Sequence, residues 1–224
     1  MKVTLLECTP GIERLCYDAA RTCYADEGAG DKHYNDSVDP EKVSKLLRYC
    51  IDRGHESVIE HATFTFSIEG VSRALTHQLV RHRLASFSQQ SQRYVKMDTP
   101  TFVTPKGIEE LKDSEWFTAK AIFENAMKEA WMAYNELVKL GLSPEDARFV
   151  LPNACTTNIV VSMNCRELLH FFSLRCCMKA QWEIRAVADE MLTVCQHHAP
   201  AIFEKAGRPC IRGECKNKCE KAVN

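Results

Sequence analysis

The chain has 224 residues, 45% of them hydrophobic and 26% charged, with a formal net charge of −1. That is the composition of a globular protein with a proper core; twelve cysteines are too sparse at this length for a disulfide scaffold. The longest apolar runs are far too short to span a membrane, and a pI near 6.7 argues against a general nucleic-acid binder, whose footprint is globally basic.

The opening MKVTLLECTPGIERL has a short apolar patch broken by Glu7 and Pro10. It does not read as a signal peptide, so a cytoplasmic location with free thiols is expected. TPGIERLCYDAARTCY then places Ile12, Leu15, Cys16, Ala19, Ala20 and Cys23 at helical spacing. DEGAGDKHYNDS reads as a polar loop. DPEKVSKLLRYCIDRG predicts a helix capped by Asp39, with Pro40 in its first turn and a stop at Gly54. ATFTFSIEG alternates Phe64, Phe66 and Ile68 against Thr63, Thr65 and Ser67, the pattern of a half-buried strand.

VSRALTHQLVRHR predicts a helix with Val71, Leu75 and Leu79 on one side and Gln78, Arg81 and His82 on another. A polar loop follows. The run 114–140 predicts one long amphipathic helix, SPEDARFVLP a short capped one, and TTNIVVSMN a second strand. CRELLHFFSLRC predicts a helix with Leu168, Leu169, Phe171 and Phe172 inward, and KAQWEIRAVADEMLTVCQHH a terminal helix. Strands are too few for a βαβ series. The pattern is that of a helix-rich α+β single domain over residues 1–206, with a basic, cysteine-containing tail over 207–224.

Between Glu69 and Asp98 the chain has no acid, yet Arg73, Arg81, Arg83, Arg93 and Lys96 lie there with His77 and His82. Nothing local neutralises this block, so it is either a solvated face or a site for a small anion. NCRELLHFFSLR brings Asn164, Arg166, His170 and Arg175 to another strand–helix junction, a place where backbone N–H groups favour anions. GAGDKH has His33 where a dinucleotide fingerprint needs glycine, and no G-x-x-x-x-G-K phosphate loop occurs. A phosphorylated ligand must then be held by guanidinium groups.

GHESVIEH gathers His55, Glu56, Glu60 and His61, but Ile59 stands where an H-E-x-x-H zinc site needs its second histidine, and no metal is expected. Cys210, Cys215 and Cys219 lack a clear fourth ligand and read as spare thiols, while Cys176 and Cys177 read as a buried helical pair.

In RHRLASFSQQS, Arg81, His82 and Arg83 are followed after seven residues by Ser91. On this R-H-R-x7-S pattern the chain resembles the flavin-dependent thymidylate synthases. GHESVIEHATFTF upstream, and ARFVLP, MNCRELLHFFSLR and AQWEI downstream, resemble further blocks of that family in the same order, over residues 1–205. The resemblance implies a homotetramer whose active sites form where subunits meet. It implies an enzyme that methylates dUMP to dTMP, with 5,10-methylenetetrahydrofolate giving the carbon, FAD shuttling the hydride and NADPH reducing the flavin.

Carried over residue by residue, the resemblance puts FAD against His55, Ser57, Glu60, Arg81, His82, Arg83 and Gln89, and further along against Asn164, Arg166 and His170. It puts dUMP against Gln78, Leu79, Val80 and Arg81, the loop Gln89, Gln90, Ser91, Gln92 and Arg93, and Arg148. Arg175 matches the arginine that ionises the uracil ring. Gln89 stands where many members carry Glu and His170 where others carry Asn; both keep hydrogen-bonding capacity. Pro209-Cys210 is the dipeptide of the cysteine-dependent synthases without its surroundings. An RNA-binding module would want more aromatics in the loop than Phe87 and Tyr94, so neither nucleic acid nor membrane is an expected partner.

Overall fold

A computed structural model describes residues 1–26, 28–30, 33, 37–210 and 215. The expected polar loop and the cysteine tail, Cys219 with it, lie largely outside the described residues. Among those described, no helix is long and apolar enough to cross a membrane.

Four strands, β1 (Lys2–Cys8), β2 (Thr63–Ser72), β3 (Ala85–Gln89) and β4 (Thr156–Asn164), form a small antiparallel sheet in the order β1-β2-β4-β3. The register is fixed at both ends of β2. Thr9 N–H donates to the Thr63 carbonyl at 3.0 Å, while Gly70 lies beside Met1. The Thr65 and Ser162 hydroxyls meet at 2.8 Å, and Gly70 N–H donates to Asn158 Oδ1 at 3.0 Å. β2 and β4 fall where their alternation predicts them. β1 and β3 are strands the sequence reading did not expect, and β3 replaces part of the expected polar loop. Its signal was present: Ser86 and Ser88 are exposed, and Ala85, Phe87 and Gln89 between them are half-buried.

Gly70 has φ +66°, a conformation that favours glycine, and it shifts the phase of β2. Phe64, Phe66 and Ile68 are buried before it, and Val71 is buried after it. The strand therefore keeps Val71 and Ser72. Ser72 Oγ then accepts from Leu75 N–H at 3.0 Å, which starts the helix at Arg73 rather than at Val71. That helix ends at Leu79. The expected helix to Arg83 is thus too long: Val80 and Arg81 form a turn, and Gln78, Arg81 and His82 do not share a helix face. Leu75 and Leu79 are buried as predicted.

The chain divides into two compact units. The first comprises residues 1–2, 68–79 and 88–159. Its long helix Asp113–Lys139 buries Trp131 beside Phe102 and Phe123, and Tyr134, whose hydroxyl accepts from Met97 N–H. Ser143 caps the short helix Pro144–Ala147, and a 3-10 turn Arg148–Val150 follows.

The second unit comprises residues 3–67, 80–87 and 160–224. Helices Ile12–Thr22, Pro40–Asp52, Cys165–Arg175 and Trp182–His198 enclose Phe64, Phe172 and Phe203, whose rings meet edge to face about 6 Å apart. Asp39 caps the second of these helices through Glu41 N–H at 3.0 Å, as expected. Cys176 is the cap that ends the Cys165–Arg175 helix and Cys177 lies beyond it, so the two are not a pair within the helix. Cys16, Cys165 and Cys195 are fully buried, and burial pushes their thiols up, that of Cys16 to about 12.

Candidate functional site

The second unit holds a buried polar cluster at the start of the Cys165–Arg175 helix. Asn164 caps that helix, its Oδ1 accepting from Glu167 N–H at 2.9 Å. The helix turns the Glu167 side chain inward, where only 6% of it is exposed. Glu167 Oε1 lies 3.1 Å from His82 Nδ1, and Arg175 Nε donates to His82 Nε2 at 3.0 Å. An arginine Nε carries only a proton to give, so Nε2 accepts and the proton of the neutral imidazole sits on Nδ1, facing Glu167.

The ring is walled by Phe171 at 5.0 Å and His170 at 5.9 Å between centroids. Burial lowers the His82 pKa, with Arg175 and His170 adding to the effect and Glu167 opposing it. Burial and the charge of Arg81 lower the Arg175 pKa. An anion approaching Arg81 and Arg175 would relieve that repulsion.

At the mouth of β2, Arg166 is ion-paired with Glu60 and with Glu56. These two acids of GHESVIEH are thus partners of an arginine, and among the described residues no group of three or more His, Cys, Asp or Glu is arranged to hold a metal. His55 and Ser57 are exposed beside them. Arg81 and Arg83 are exposed and make no hydrogen bond or ion pair with described residues, whereas His82 between them is buried.

The first unit holds a second cluster. Gln89 Nε2 donates to the Thr76 and Thr157 hydroxyls at 3.1 and 3.3 Å, which fixes the direction of its amide. Gln78 lies in the Arg73–Leu79 helix. Gln92 is buried, and its Nε2 has no hydrogen-bond partner. Arg73 Nη1 is likewise buried and unpartnered, and burial together with the Arg148 charge lowers the Arg73 pKa. Arg148 Nε donates to the Glu145 carbonyl at 3.0 Å. Two guanidinium groups that repel one another, with two buried donors left without partners, concentrate positive charge and N–H groups of the kind that suit an anion.

Nothing local neutralises the basic block, as expected, but two of its positions meet acids elsewhere in the chain. Arg93 pairs with Glu145, 2.7 Å between Nε and Oε1, and His82 pairs with Glu167. Both acids are distant in sequence. Ser91 Oγ accepts from Arg93 N–H at 3.1 Å, holding the loop. Glu167 is the residue that sequence reasoning missed; Gln92 was expected at dUMP and Arg73 in the basic block, but not their partnerless donors. Glu167 reads as a helix-cap residue three places after Asn164, and only the fold brings it to His82.

The sequence matches the family described as Thymidylate synthase complementing protein over residues 4–201, a span that runs through both units. It is 49% identical over 217 residues to the flavin-dependent thymidylate synthase of Geobacter sulfurreducens, covering 96% of this chain and 90% of that one. It is 51% identical over 190 residues to the flavin-dependent thymidylate synthase of Pyrococcus furiosus, covering 81% and 76%. Among solved structures it is similar to the UMP/dUMP methylase PolB from Streptomyces cacaoi bound with 5-Br dUMP, at a TM-score of 0.80 and 25% identity over 91% of this chain and 93% of that one. With those matches over nearly its whole length, the chain belongs to the flavin-dependent thymidylate synthase family.

Proposed function

We propose that this chain is an enzyme that converts dUMP to dTMP, taking the methyl carbon from 5,10-methylenetetrahydrofolate and the reducing electrons from NADPH through FAD. The observation that carries the reading is the set of guanidinium groups left without carboxylate partners: Arg81 and Arg83 in one unit, Arg73 in the other. All three candidate ligands are anions, and FAD and dUMP bring phosphates. Overall, dUMP, methylenetetrahydrofolate, NADPH and a proton give dTMP, tetrahydrofolate and NADP⁺.

FAD fits the donors present. Arg81 and Arg83 are uncompensated cations for its diphosphate, and His55, Ser57, Asn164 and His170 offer hydrogen bonds to its polar edges. Gln89 completes the set, while His82, expected at the cofactor, is buried with both ring nitrogens engaged by Glu167 and Arg175. Arg166 and Glu60 are already ion-paired with each other, so they act on the cofactor as a pair rather than as two free charges. When bound, FAD supplies the hydride that reduces the transferred carbon.

For dUMP the phosphate is assigned to Arg93 and Arg148, with the open donors Arg73 Nη1 and Gln92 Nε2. Gln78, Leu79, Val80 and Arg81 border the nucleotide, and Gln89, Gln90 and Ser91 hold its ring and sugar. In the homotetramer we propose, the active sites form where subunits meet.

Arg175 is placed at the uracil. Carbon–carbon bond formation at C5 requires negative charge to build on the ring, and a fixed guanidinium stabilises it as it forms. The test is direct. Purified protein with FAD, NADPH, methylenetetrahydrofolate and dUMP is expected to form dTMP, and to stop when any one is withheld. No dTMP at saturating FAD would overturn the reading.

A further inference from the structure

We propose that Glu167 is a positioning residue for Arg175, acting through His82: it fixes the imidazole tautomer whose open nitrogen holds the guanidinium in place. The proposal rests on the role given to Arg175 above.

The geometry leaves one arrangement of protons. Arg175 Nε can only donate, so His82 Nε2 must be bare, and the neutral ring then carries its proton on Nδ1. A free imidazole has no such obligation. What enforces the choice is the acceptor on the other side, Glu167 Oε1, 3.1 Å from Nδ1. His82 and Glu167 have side chains only 2% and 6% exposed, so water is a poor substitute for either partner. Phe171 closes one side of the ring.

Three groups thus stand in line, with Glu167 and Arg175 on one helix and His82 in Val80–Leu84, the segment between the Arg73–Leu79 helix and β3 that is neither helix nor strand. Glu167 and Arg175 are eight residues apart on that helix, and His82 bridges them. Held through Nε, the guanidinium has its plane fixed and not merely its charge placed. Without the carboxylate, His82 is free to move its proton to Nε2. That would set an N–H against the N–H of Arg175 and remove the hydrogen bond that fixes the guanidinium from the His82 side.

The experiment compares Glu167→Gln and Glu167→Leu in the full-length enzyme. It reads turnover, the KM for dUMP, and the His82 tautomer from ring ¹⁵N shifts. In Glu167→Leu, His82 is expected to move to the Nε2–H form, with turnover falling about 10- to 100-fold, the range for a reacting group displaced by about an ångström, and KM changing much less. Glu167→Gln keeps an acceptor oxygen, so the Nδ1–H form and most of the turnover are expected to survive.

Turnover must follow the tautomer across the variants, so either folded variant suffices as a test. Wild-type turnover with the proton on Nε2, or lost turnover with the proton still on Nδ1, overturns the proposal. Arg175→Lys run beside them separates the two ideas. If Arg175→Lys is inactive while the tautomer has no effect on turnover, the positioning idea fails and the role of Arg175 stands. If Arg175→Lys is fully active, it is the role of Arg175 that fails, and this proposal with it.

Discussion

The two polar clusters differ in how complete they are. In the second unit, the buried Glu167 and His82 and the half-buried Arg175 are joined in a line, and the His82 ring has its orientation settled before any ligand arrives. In the first unit, Arg73 and Gln92 keep buried donors without acceptors, and Arg73 lies in the field of Arg148. The first arrangement aims a reacting group; the second waits for charge from outside. A cluster that does chemistry gains from preorganisation, whereas one that recognises a phosphate gains from donors with no competing partner.

The sharpest way to break the contrast is at Arg175. Arg175→Lys keeps the charge and loses the fork that His82 holds, so turnover is expected to fall about 10²–10³-fold, with a smaller loss of dUMP affinity. Steady-state kinetics beside dUMP calorimetry would separate the two effects. On the open side, Arg73→Met removes a buried donor that nothing satisfies in the free protein. It is expected to leave unfolding stability undiminished while weakening dUMP by about 1.5–3 kcal/mol, the worth of a charged hydrogen bond. A destabilised variant with normal dUMP affinity would assign Arg73 to the scaffold.

The closed cluster also has a pH signature. Because the folded-state pKa of His82 is lowered, the unfolded chain takes up a proton below about pH 6.5 that the folded one refuses. Stability from this group is therefore complete above that value and lost as pH falls, by at most about 1.4 kcal/mol per pH unit. Denaturation at pH 7.5 and 5.5 is expected to show the loss, and His82→Asn to flatten it. The smallest effect belongs to Ser91. Its hydroxyl accepts from Arg93 N–H, and among the described residues no base is bonded to it, so it is not poised as a nucleophile. Ser91→Ala should still make dTMP, with dUMP affinity reduced by about 0.5–1.5 kcal/mol. A covalent dUMP adduct on Ser91, seen by mass spectrometry, would refute this.

The same contrast marks what the sequence could reveal. Phe64, Phe66 and Ile68 announce β2, and the stripe of Leu168, Phe171 and Phe172 announces its helix, because local periodicity records which side meets the core. The basic block was legible as unbalanced charge. Its resolution was not, because Glu145 and Glu167 reach Arg93 and His82 across 52 and 85 residues of chain. Helical spacing placed Gln78, Arg81 and His82 on one face, and the pairing of His82 with Glu167 and Arg175 outweighed that local preference. β1 carries weak alternation and β3 only five residues of a clear one, so neither stands out without the neighbours that hold it in the sheet.

The buried thiols of the second unit give the folded chain a built-in clock. An alkylating reagent attacks thiolate, and Cys16, Cys165 and Cys195 combine full burial with pKa values far above neutrality. Each can react only while its surroundings are open. Cys23 is exposed and would be modified ahead of them. The rate at which the three interior positions follow, read residue by residue by mass spectrometry, then measures how often each part of that unit breathes. No label need be introduced, because the protein already carries it.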